Sequence, residues 1–185
     1  DGRHAVVRYG ASLDEDLARR DFTINAIAYH PIRHQWRDPF QGGTDLERGV
    51  IRAVGAAAER FREDYLRILR AVRFAARLEF EIDPVTWAAA VAAADGLDRL
   101  SAERVRDEWF RGLESAQSVG RFVRLWHDVG AARVWLPGLH ATDPFRGARV
   151  APRDPVLLTA GLVDDAAAAL RRLKASTADI ERVGR

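Results

Sequence analysis

The sequence predicts a mainly α-helical protein in which a short α/β segment precedes a long all-helical region. Three observations support this prediction. The stretch HAVVRYG (4–10) has the apolar, β-branched pattern of a strand and stops at a glycine. HQWRDPF (34–40) has the pattern of a strand that returns beside the first. From residue 56 onward, apolar residues recur at helical spacing with few interruptions.

The segments between these strands predict helices and a connector. SLDEDLARRD (12–21) begins with a serine cap and has acidic residues in its first turn, which is typical of a helix start. DFTINAIAY (21–29) predicts a second short helix with Asp21 as its N-cap. QGGTDLERG (41–49) predicts a turn-rich connector without helix or strand.

The remaining chain predicts a series of helices. We expect them near 56–78, 84–94, 101–114, 115–128, 130–136, 154–162, 164–173 and 176–183. Pro84, Ser101 and Ser176 suit helix starts, and Gly130 suits a helix end. The Pro- and Gly-rich segment 137–153 predicts a loop or hinge.

Composition excludes several classes of protein. No apolar run reaches the roughly 18 to 20 residues that a membrane span needs. Cysteine is absent, which excludes disulfides and thiolate metal sites and leads us to expect a cytoplasmic protein. The formal net charge is only +2, so the whole molecule is not a polycation. Between Arg52 and Arg77, however, seven arginines oppose three acidic residues, which gives a local excess of +4.

The segment REDYLRILRAVRFAAR (62–77) carries most of that excess on the predicted helix 56–78. At about 100° per residue, with Asp64 at zero, the apolar positions fall between about 20° and 140°. These positions are Phe61, Tyr65, Ile68, Leu69, Val72, Ala75 and Ala76. The side between about 180° and 300° carries Arg67, Arg70, Arg73 and Arg77. Asp64 lies on the border, one turn from Arg67, so both could reach one ligand.

Two interpretations of this helix follow from the residues. Glu63 and Asp64 could simply pair with Arg67 on a solvated surface, where each pair adds only about a few tenths of a kcal/mol. Alternatively, the arginines line a pocket for an anionic ligand. The neighbouring ARRDFTINA (18–26) and DPFQGGTDL (38–46) favour the pocket, because a further Arg-Arg-Asp cluster and a Gly-rich turn lie just upstream.

Three stretches occur in series and at close spacing: DLARRDFTINAIAY (16–29), DPFQGGTDLERGVIRAVG (38–55) and ERFREDYLRILRAVRFAARLEFEI (59–82). Together they resemble the class II tRNA nucleotidyltransferases, the CCA-adding enzymes, and their relatives the bacterial poly(A) polymerases. SAERVRDEW (101–109) resembles the next helix motif of that family. LLTAGLVDDAAAALRRLKAS (157–176) is similar to the helical body that follows, more loosely. One such motif alone is weak, whereas the series is very specific.

The resemblance implies an architecture. Residues 1–55 would be the C-terminal part of an α/β nucleotidyltransferase head with short antiparallel strands. Residues 56–115 would be a helical neck that selects the nucleotide, and 116–185 a helical body, which we expect to be incomplete. In the family, the catalytic carboxylates that hold Mg²⁺ lie in a segment nearer the N-terminus, and no such segment exists here. We therefore expect no catalytic residue and no metal ligand in this chain, which would be inactive alone.

The resemblance also assigns residues to a nucleotide. It implies that Arg20 contacts the sugar–phosphate part of the incoming CTP or ATP, supported by Asp21 and Asn25. Asp64 and Arg67 match the pair that reads the base edge. A carboxylate accepts from the amino group that C and A share, and an arginine donates to the neighbouring ring acceptor.

Further residues complete or qualify this assignment. Arg70 and Arg73 would complete the nucleotide pocket, while Arg77 would be structural or face tRNA. Gln41 departs from the family pattern, because a first glycine is common there. WHDVG (126–130) contains a His-Asp pair, but the other histidines lie outside its context, so a metal site is not expected.

The sequence leaves three functions open. The favoured one is addition of C and/or A to the tRNA 3′ end; the oligomeric state is undetermined. EDYLRILRA (63–71) favours the tRNA enzymes over the poly(A) polymerases, which usually have proline after the aspartate and methionine before the second leucine. The third is a non-catalytic helical RNA-binding module.

Overall fold

The structure is a computed structural model and describes residues 12–141 and 153–184. Within these ranges the helices are α1 Leu13–Ala18, α2 Gly42–Arg48, α3 Ala57–Glu63, α4 Leu66–Leu78, α5 Pro84–Ala92, α6 Ala102–Ser115, α7 Val119–Asp128, α8 Ala131–Trp135, α9 Pro155–Leu162, α10 Ala166–Arg172 and α11 Thr177–Val183. The strands are β1 Ala28–His30, β2 Gln35–Arg37, β3 Val50–Ile51 and β4 Glu81–Ile82. The mainly α fold with short strands is therefore confirmed. The predicted strand 4–10 and residues 142–152 of the predicted loop lie outside the described residues.

Helix α1 begins where the sequence predicts. Ser12 accepts a hydrogen bond from the Glu15 amide, and the Glu15 carboxylate accepts one from the Ser12 amide, which forms a capping box. The helix ends at Ala18. This short helix therefore carries the Arg-Arg-Asp cluster at its C-terminal end.

The prediction of a helix over 21–29 is wrong. Only a 3-10 turn, Thr23–Asn25, forms there, and strand β1 follows it. The reason is pairing with a distant segment, because the Thr23 amide donates to the Arg52 carbonyl at 2.9 Å and Phe22 forms an antiparallel bridge with Ala53. These backbone groups are consequently unavailable to a helix.

Strand β2 confirms the predicted strand in 34–40, and its described partner is β1. The two strands pair antiparallel, with Tyr29 opposite Trp36. Trp36 is 72% exposed and stacks obliquely on Tyr29, with ring centroids 4.6 Å apart. The residues of this hairpin are mostly exposed to solvent.

The segment 41–49, predicted as a connector, is helix α2. The Asp38 carboxylate accepts hydrogen bonds from the amides of Gly42 at 2.7 Å and Gly43 at 2.8 Å, so it caps the helix despite the two glycines. Gln41 immediately before it has a left-handed backbone, with φ 58°. A glycine would adopt that conformation without strain, which explains physically why glycine suits this position.

The predicted helix 56–78 is two helices, α3 and α4. Asp64 has an extended backbone, with φ −154° and ψ 104°, and ends α3. Tyr65 begins the next turn, and its ring packs directly over Gly96, where an added Cβ would lie 2.0 Å from the ring. Most of the predicted buried stripe is nevertheless confirmed: Phe61, Ile68, Leu69, Val72, Ala75 and Ala76 are buried, and Tyr65 is partly buried.

A parallel pairing that the sequence analysis did not predict joins the two ends of this region. Val50 pairs with Glu81 and Ile51 with Ile82, so β3 and β4 bracket α3 and α4. Arg52 supports the junction, because its guanidinium lies 3.1 Å from the Asp45 carboxylate and 2.7 Å from that of Asp83.

The later helices follow the predicted order, and Pro84, Ser101 and Ser176 stand at helix starts as expected. The main core runs from α3 through α10 and centres on an aromatic cluster. Trp109 stacks on Phe122 at 5.3 Å between ring centroids and meets Trp126 edge-on at 4.7 Å. Helix α6 therefore packs between α4, α7 and α9, with one face towards α4.

None of the described helices is both long enough and apolar enough to cross a membrane.

Candidate functional site

Six of the seven predicted site residues, all except Arg73, line a cavity between the end of α1, the junction of α3 and α4, and the start of α6. Its volume is about 540 Å³. The lining residues are Arg19, Arg20, Asp21, Asn25, Asp64, Leu66, Arg67, Arg70, Phe74 and Arg104. Five arginines against two aspartates give this wall an excess of positive charge, which suits an anionic ligand.

Asp64 is held at both carboxylate oxygens. Its Oδ1 accepts a hydrogen bond from the Leu66 amide at 3.1 Å, which satisfies an amide at the start of α4. Its Oδ2 accepts one from Arg104 at 2.7 Å. Since the backbone is extended at Asp64, the residue does not lie on the same helix as Arg67. The Arg67 amide nevertheless donates to the Asp64 carbonyl at 3.1 Å, so the two residues are still one turn apart, and both side chains line the cavity.

Arg67 is held on the other side of the junction. Its guanidinium donates to Glu63 at 2.7 Å and to the Arg60 carbonyl at 2.9 Å. A third contact, at 3.3 Å, reaches the Arg19 carbonyl at the end of α1. Arg60 similarly donates to the Ala18 carbonyl at 2.5 Å. These arginines fasten the first helix to the junction through carbonyls that the helix end leaves without partners.

The protonation state of Glu63 supports this arrangement. Hydrogen bonds from Arg67 first, and then from Arg60, hold the pKa of the Glu63 carboxyl below its usual value. Glu63 thus remains a carboxylate over a wider pH range and keeps Arg67 paired.

Asp21 and Arg70 form a close ion pair at the cavity wall. Two nitrogens of Arg70 lie 2.7 and 2.6 Å from Asp21 Oδ2. The other oxygen, Oδ1, accepts from the Phe22 amide and from the Asn25 side chain, both at 2.9 Å. Asp21 is buried, and both of its carboxylate oxygens already have hydrogen-bond partners. It and Asn25 consequently orient Arg70, as supporting residues would.

Arg20 lies at the rim of the cavity. Its guanidinium pairs with Asp16 at 2.8 Å, and about half of each side chain is exposed. An exposed pair at this i,i+4 spacing is weak. Arg20 can therefore exchange Asp16 for an anionic ligand at small cost.

Arg73 does not line the cavity. It is buried, and its Nε donates to Glu108 Oε2 at 2.5 Å. Its guanidinium lies 4.3 Å from the centre of the Phe74 ring, and Phe74 itself lines the cavity. The structure thus places Arg73 behind the wall, against α6, and not beside the other predicted residues.

Sequence reasoning missed several residues of this wall: Arg19, Leu66, Phe74 and Arg104. A signal for Arg104 existed, because Arg104 and Glu108 stand four residues apart in SAERVRDEW and so share one face of α6. That face meets α4 and its junction with α3: Arg104 pairs with Asp64 at the junction, and Glu108 pairs with Arg73 on α4.

Within residues 12–141 and 153–184, no group of three or more His, Asp and Glu side chains could hold a metal ion. His127 and Asp128 accordingly lack the further ligands that a metal centre needs there. Nucleotidyl transfer generally uses divalent metal ions. The described residues that line the cavity do not provide a set of ligands for such ions.

Two family models match the chain. The "Poly A polymerase head domain" matches residues 1–52, and the "Probable RNA and SrmB- binding site of polymerase A" matches 79–142. A CCA-adding enzyme from Streptococcus suis is 48% identical over 122 residues, which cover 61% of this chain and 30% of that protein. This chain belongs to the family of tRNA nucleotidyltransferases and poly(A) polymerases. Residues of both matched regions line the cavity, together with residues of the segment between them, 53–78.

Solved structures of the family share the fold. The Bacillus stearothermophilus CCA-adding enzyme in complex with CTP is 34% identical, with a TM-score of 0.78, over 94% of this chain and 46% of that one. A tRNA nucleotidyltransferase complexed with a primer tRNA and an incoming ATP analogue has 25% identity and a TM-score of 0.78. That match covers 96% of this chain and 59% of the other. The chain spans about a third of the length of the curated relatives it matches.

Proposed function

We propose that this chain is part of a template-independent RNA nucleotidyltransferase that adds C and/or A from CTP and ATP to the 3′ end of tRNA. The observation that carries the proposal is that the fixed Asp64 carboxylate and Arg67 line the same arginine-rich cavity. The solved relatives were captured with CTP, with ATP and with a primer tRNA, which supports the same ligands here. The absence of cysteine is in keeping with a cytoplasmic location.

The base is read by Asp64 and Arg67 in this proposal. The carboxylate accepts a hydrogen bond from the exocyclic amino group that C and A share, and Arg67 donates to the adjacent ring nitrogen. U and G present a carbonyl where Asp64 needs a donor, and two acceptors facing each other are unfavourable. Selection therefore follows from protein groups alone, without a nucleic-acid template.

The remaining arginines bind the rest of the nucleotide. Arg20 leaves Asp16 for the sugar–phosphate part, because its exposed pair is weak. Arg70, oriented by Asp21 and Asn25, contributes positive charge at the cavity wall. Arg73 acts from behind the wall by holding Phe74 and Glu108, so its part in nucleotide binding is indirect.

The chemical step needs more than these residues supply. We propose Mg²⁺ as the metal ion, held by carboxylates outside this sequence. Such an ion would supply positive charge against the phosphates and would activate the attacking 3′-hydroxyl. The residues of this chain bind, orient and select the nucleotide. We further propose the division into head residues 1–55, neck residues 56–115 and body residues 116–185.

The test uses the product of the complete gene. It is incubated with Mg²⁺, a tRNA that lacks its 3′-terminal CCA, and each nucleoside triphosphate separately and in pairs. We expect incorporation of C, of A, or of both in order, and no incorporation of U or G. Long tails of A on unrelated RNA would identify a poly(A) polymerase instead. Binding of tRNA without any transfer would identify a non-catalytic RNA-binding module.

A further inference from the structure

The ion pair between Asp64 and Arg104 brings a second guanidinium to the cavity beside the proposed base-reading carboxylate. Arg104 lies at the start of α6, forty positions after Asp64, and its guanidinium is 2.7 Å from Asp64 Oδ2. Its side chain is 38% exposed, and it lines the same cavity. A hydrogen-bond donor thus stands directly beside the carboxylate that is proposed to read the base.

Asp64 and Arg104 have opposite chemical preferences. A carboxylate only accepts hydrogen bonds, so it favours the amino groups of C and A. A guanidinium only donates, so a free one favours the carbonyl groups of U and G. While the two are paired, Asp64 satisfies Arg104 and suppresses that second preference.

Arg67 cannot replace Arg104 as the partner of Asp64 Oδ2. Glu63 and two backbone carbonyls hold its guanidinium on the opposite side of the junction. Asp64 Oδ1 is also occupied, by the Leu66 amide. Arg104 is therefore the side chain that orients the oxygen of Asp64 that remains for the base.

We propose that Arg104 is a specificity-determining residue of this pocket. Its pairing turns Asp64 Oδ2 towards the amino group of C or A, and the same pairing keeps Arg104 from donating to a base carbonyl. The inference rests on the proposed function and adds a residue to it. It predicts that relaxed base choice in an Asp64 variant depends on Arg104.

The experiment compares Asp64→Ala, Arg104→Met, Arg104→Lys and the double variant Asp64→Ala/Arg104→Met in the product of the complete gene. Arg106→Met is the matched control, because Arg106 lies on the same helix, pairs with Asp107 at 3.0 Å and does not line the cavity. Thermal unfolding of each variant is measured beside kcat and KM for the four nucleotides. Methionine retains the apolar stem and removes the charge and the donors.

Four results support the proposal. Asp64→Ala gains use of UTP and GTP, and the double variant loses at least about tenfold of that gain, as expected for one charge-assisted hydrogen bond. Arg104→Met alone raises KM for CTP and ATP by about tenfold with a smaller change in kcat. Arg104→Lys recovers part of that loss. Arg106→Met unfolds at a temperature similar to that of Arg104→Met but keeps the original KM values.

Two results would overturn it. If the double variant uses UTP and GTP as well as Asp64→Ala does, Arg104 does not read the carbonyl. If Arg104→Met matches Arg106→Met in every kinetic constant, Arg104 has no part in selection. Both results leave the proposed function standing, because they require an unmodified protein that adds C or A. An unmodified protein without that preference overturns the proposed function itself and this inference with it.

Discussion

Arg73 and Glu108 form a buried ion pair that joins the two longest helices of the structure, α4 and α6. Their closest atoms are 2.5 Å apart, and both side chains are less than a tenth exposed. Arg70 approaches the same carboxylate at 3.8 Å. The wall of the cavity is therefore fixed to the core through Glu108.

Glu108→Gln should lower the free energy of unfolding by about 3 kcal/mol, because it leaves the buried charge of Arg73 without its counter-charge. Chemical denaturation measures the change. The matched control is Asp95→Asn, which breaks the exposed pair with Arg133 and should cost less than about 0.5 kcal/mol. Equal losses in the two variants would contradict a structural role for the buried pair.

Gly42→Ala should destabilise the protein by more than about 2 kcal/mol, the order expected of overpacking. An added Cβ would lie 2.1 Å from the Thr23 carbonyl oxygen, which belongs to the backbone and cannot move away alone. Gly43→Ala is the control, since its Cβ would meet only the Asp38 side chain, at 3.3 Å. Thermal unfolding should separate the two, and a mild Gly42→Ala would argue against the close approach.

Thr159→Val should cost about 1 to 3 kcal/mol, because it leaves the Trp109 indole N–H buried without an acceptor. That N–H donates to the Thr159 hydroxyl at 2.9 Å and links α6 to α9. Thr177→Val, at an exposed helix start, is the control. A negligible effect at Thr159 would show that α9 does not pack against α6 in this way.

Acid should destabilise the junction of α3 and α4. The pKa of Glu63 in the folded protein lies below its ordinary value of 4.5, so the unfolded chain takes up the proton first as pH falls. The stabilisation from Glu63 is therefore complete above about pH 4.5 and is lost as pH falls through the lowered pKa. Denaturation curves at about pH 6 and pH 3 should show a smaller loss of stability in Glu63→Gln than in the unmodified protein. An unchanged pH dependence would contradict the pairing with Arg67 and Arg60.

Arg20→Ala should raise KM for CTP and ATP by similar factors, about tenfold, without changing the preference between bases. The reason is that the sugar–phosphate part, which Arg20 is proposed to bind, is common to all nucleotides. Arg48→Ala removes an exposed arginine from α2 and should have no effect. A change in base preference in Arg20→Ala would instead place this residue at the base edge.

The helical region was predictable because its signals are local. Apolar residues at a period of 3.6 define the buried face of α4, and Pro84, Ser101 and Ser176 stand at helix starts, where Ser176 accepts a capping hydrogen bond from the Asp179 amide. The capping box at Ser12 is equally local. Such features need only neighbouring residues.

The errors come from contacts between distant residues. Segment 21–29 is not a helix because its backbone bonds to residues 52–54. The break at Asp64 carries no glycine or proline, and it follows from packing of Tyr65 over Gly96. Segment 41–49 is the exception, because the residue that caps its helix, Asp38, lies only four positions before Gly42 and is a local signal.

The sequence by itself determined the family, the order of the helices and a cluster of arginines with two aspartates. Only the tertiary structure decided which of them share a cavity. It moved Arg73 behind the wall with Glu108 and gave Asp64 the partner Arg104 in place of Arg67. The physical reason is that an arginine side chain is long and can therefore pair with a carboxylate on any helix that packs nearby. Helical spacing restricts where the Cα lies, whereas the positions of the carboxylates determine where each guanidinium binds: Asp21 for Arg70, Glu63 for Arg67, Asp64 for Arg104 and Glu108 for Arg73.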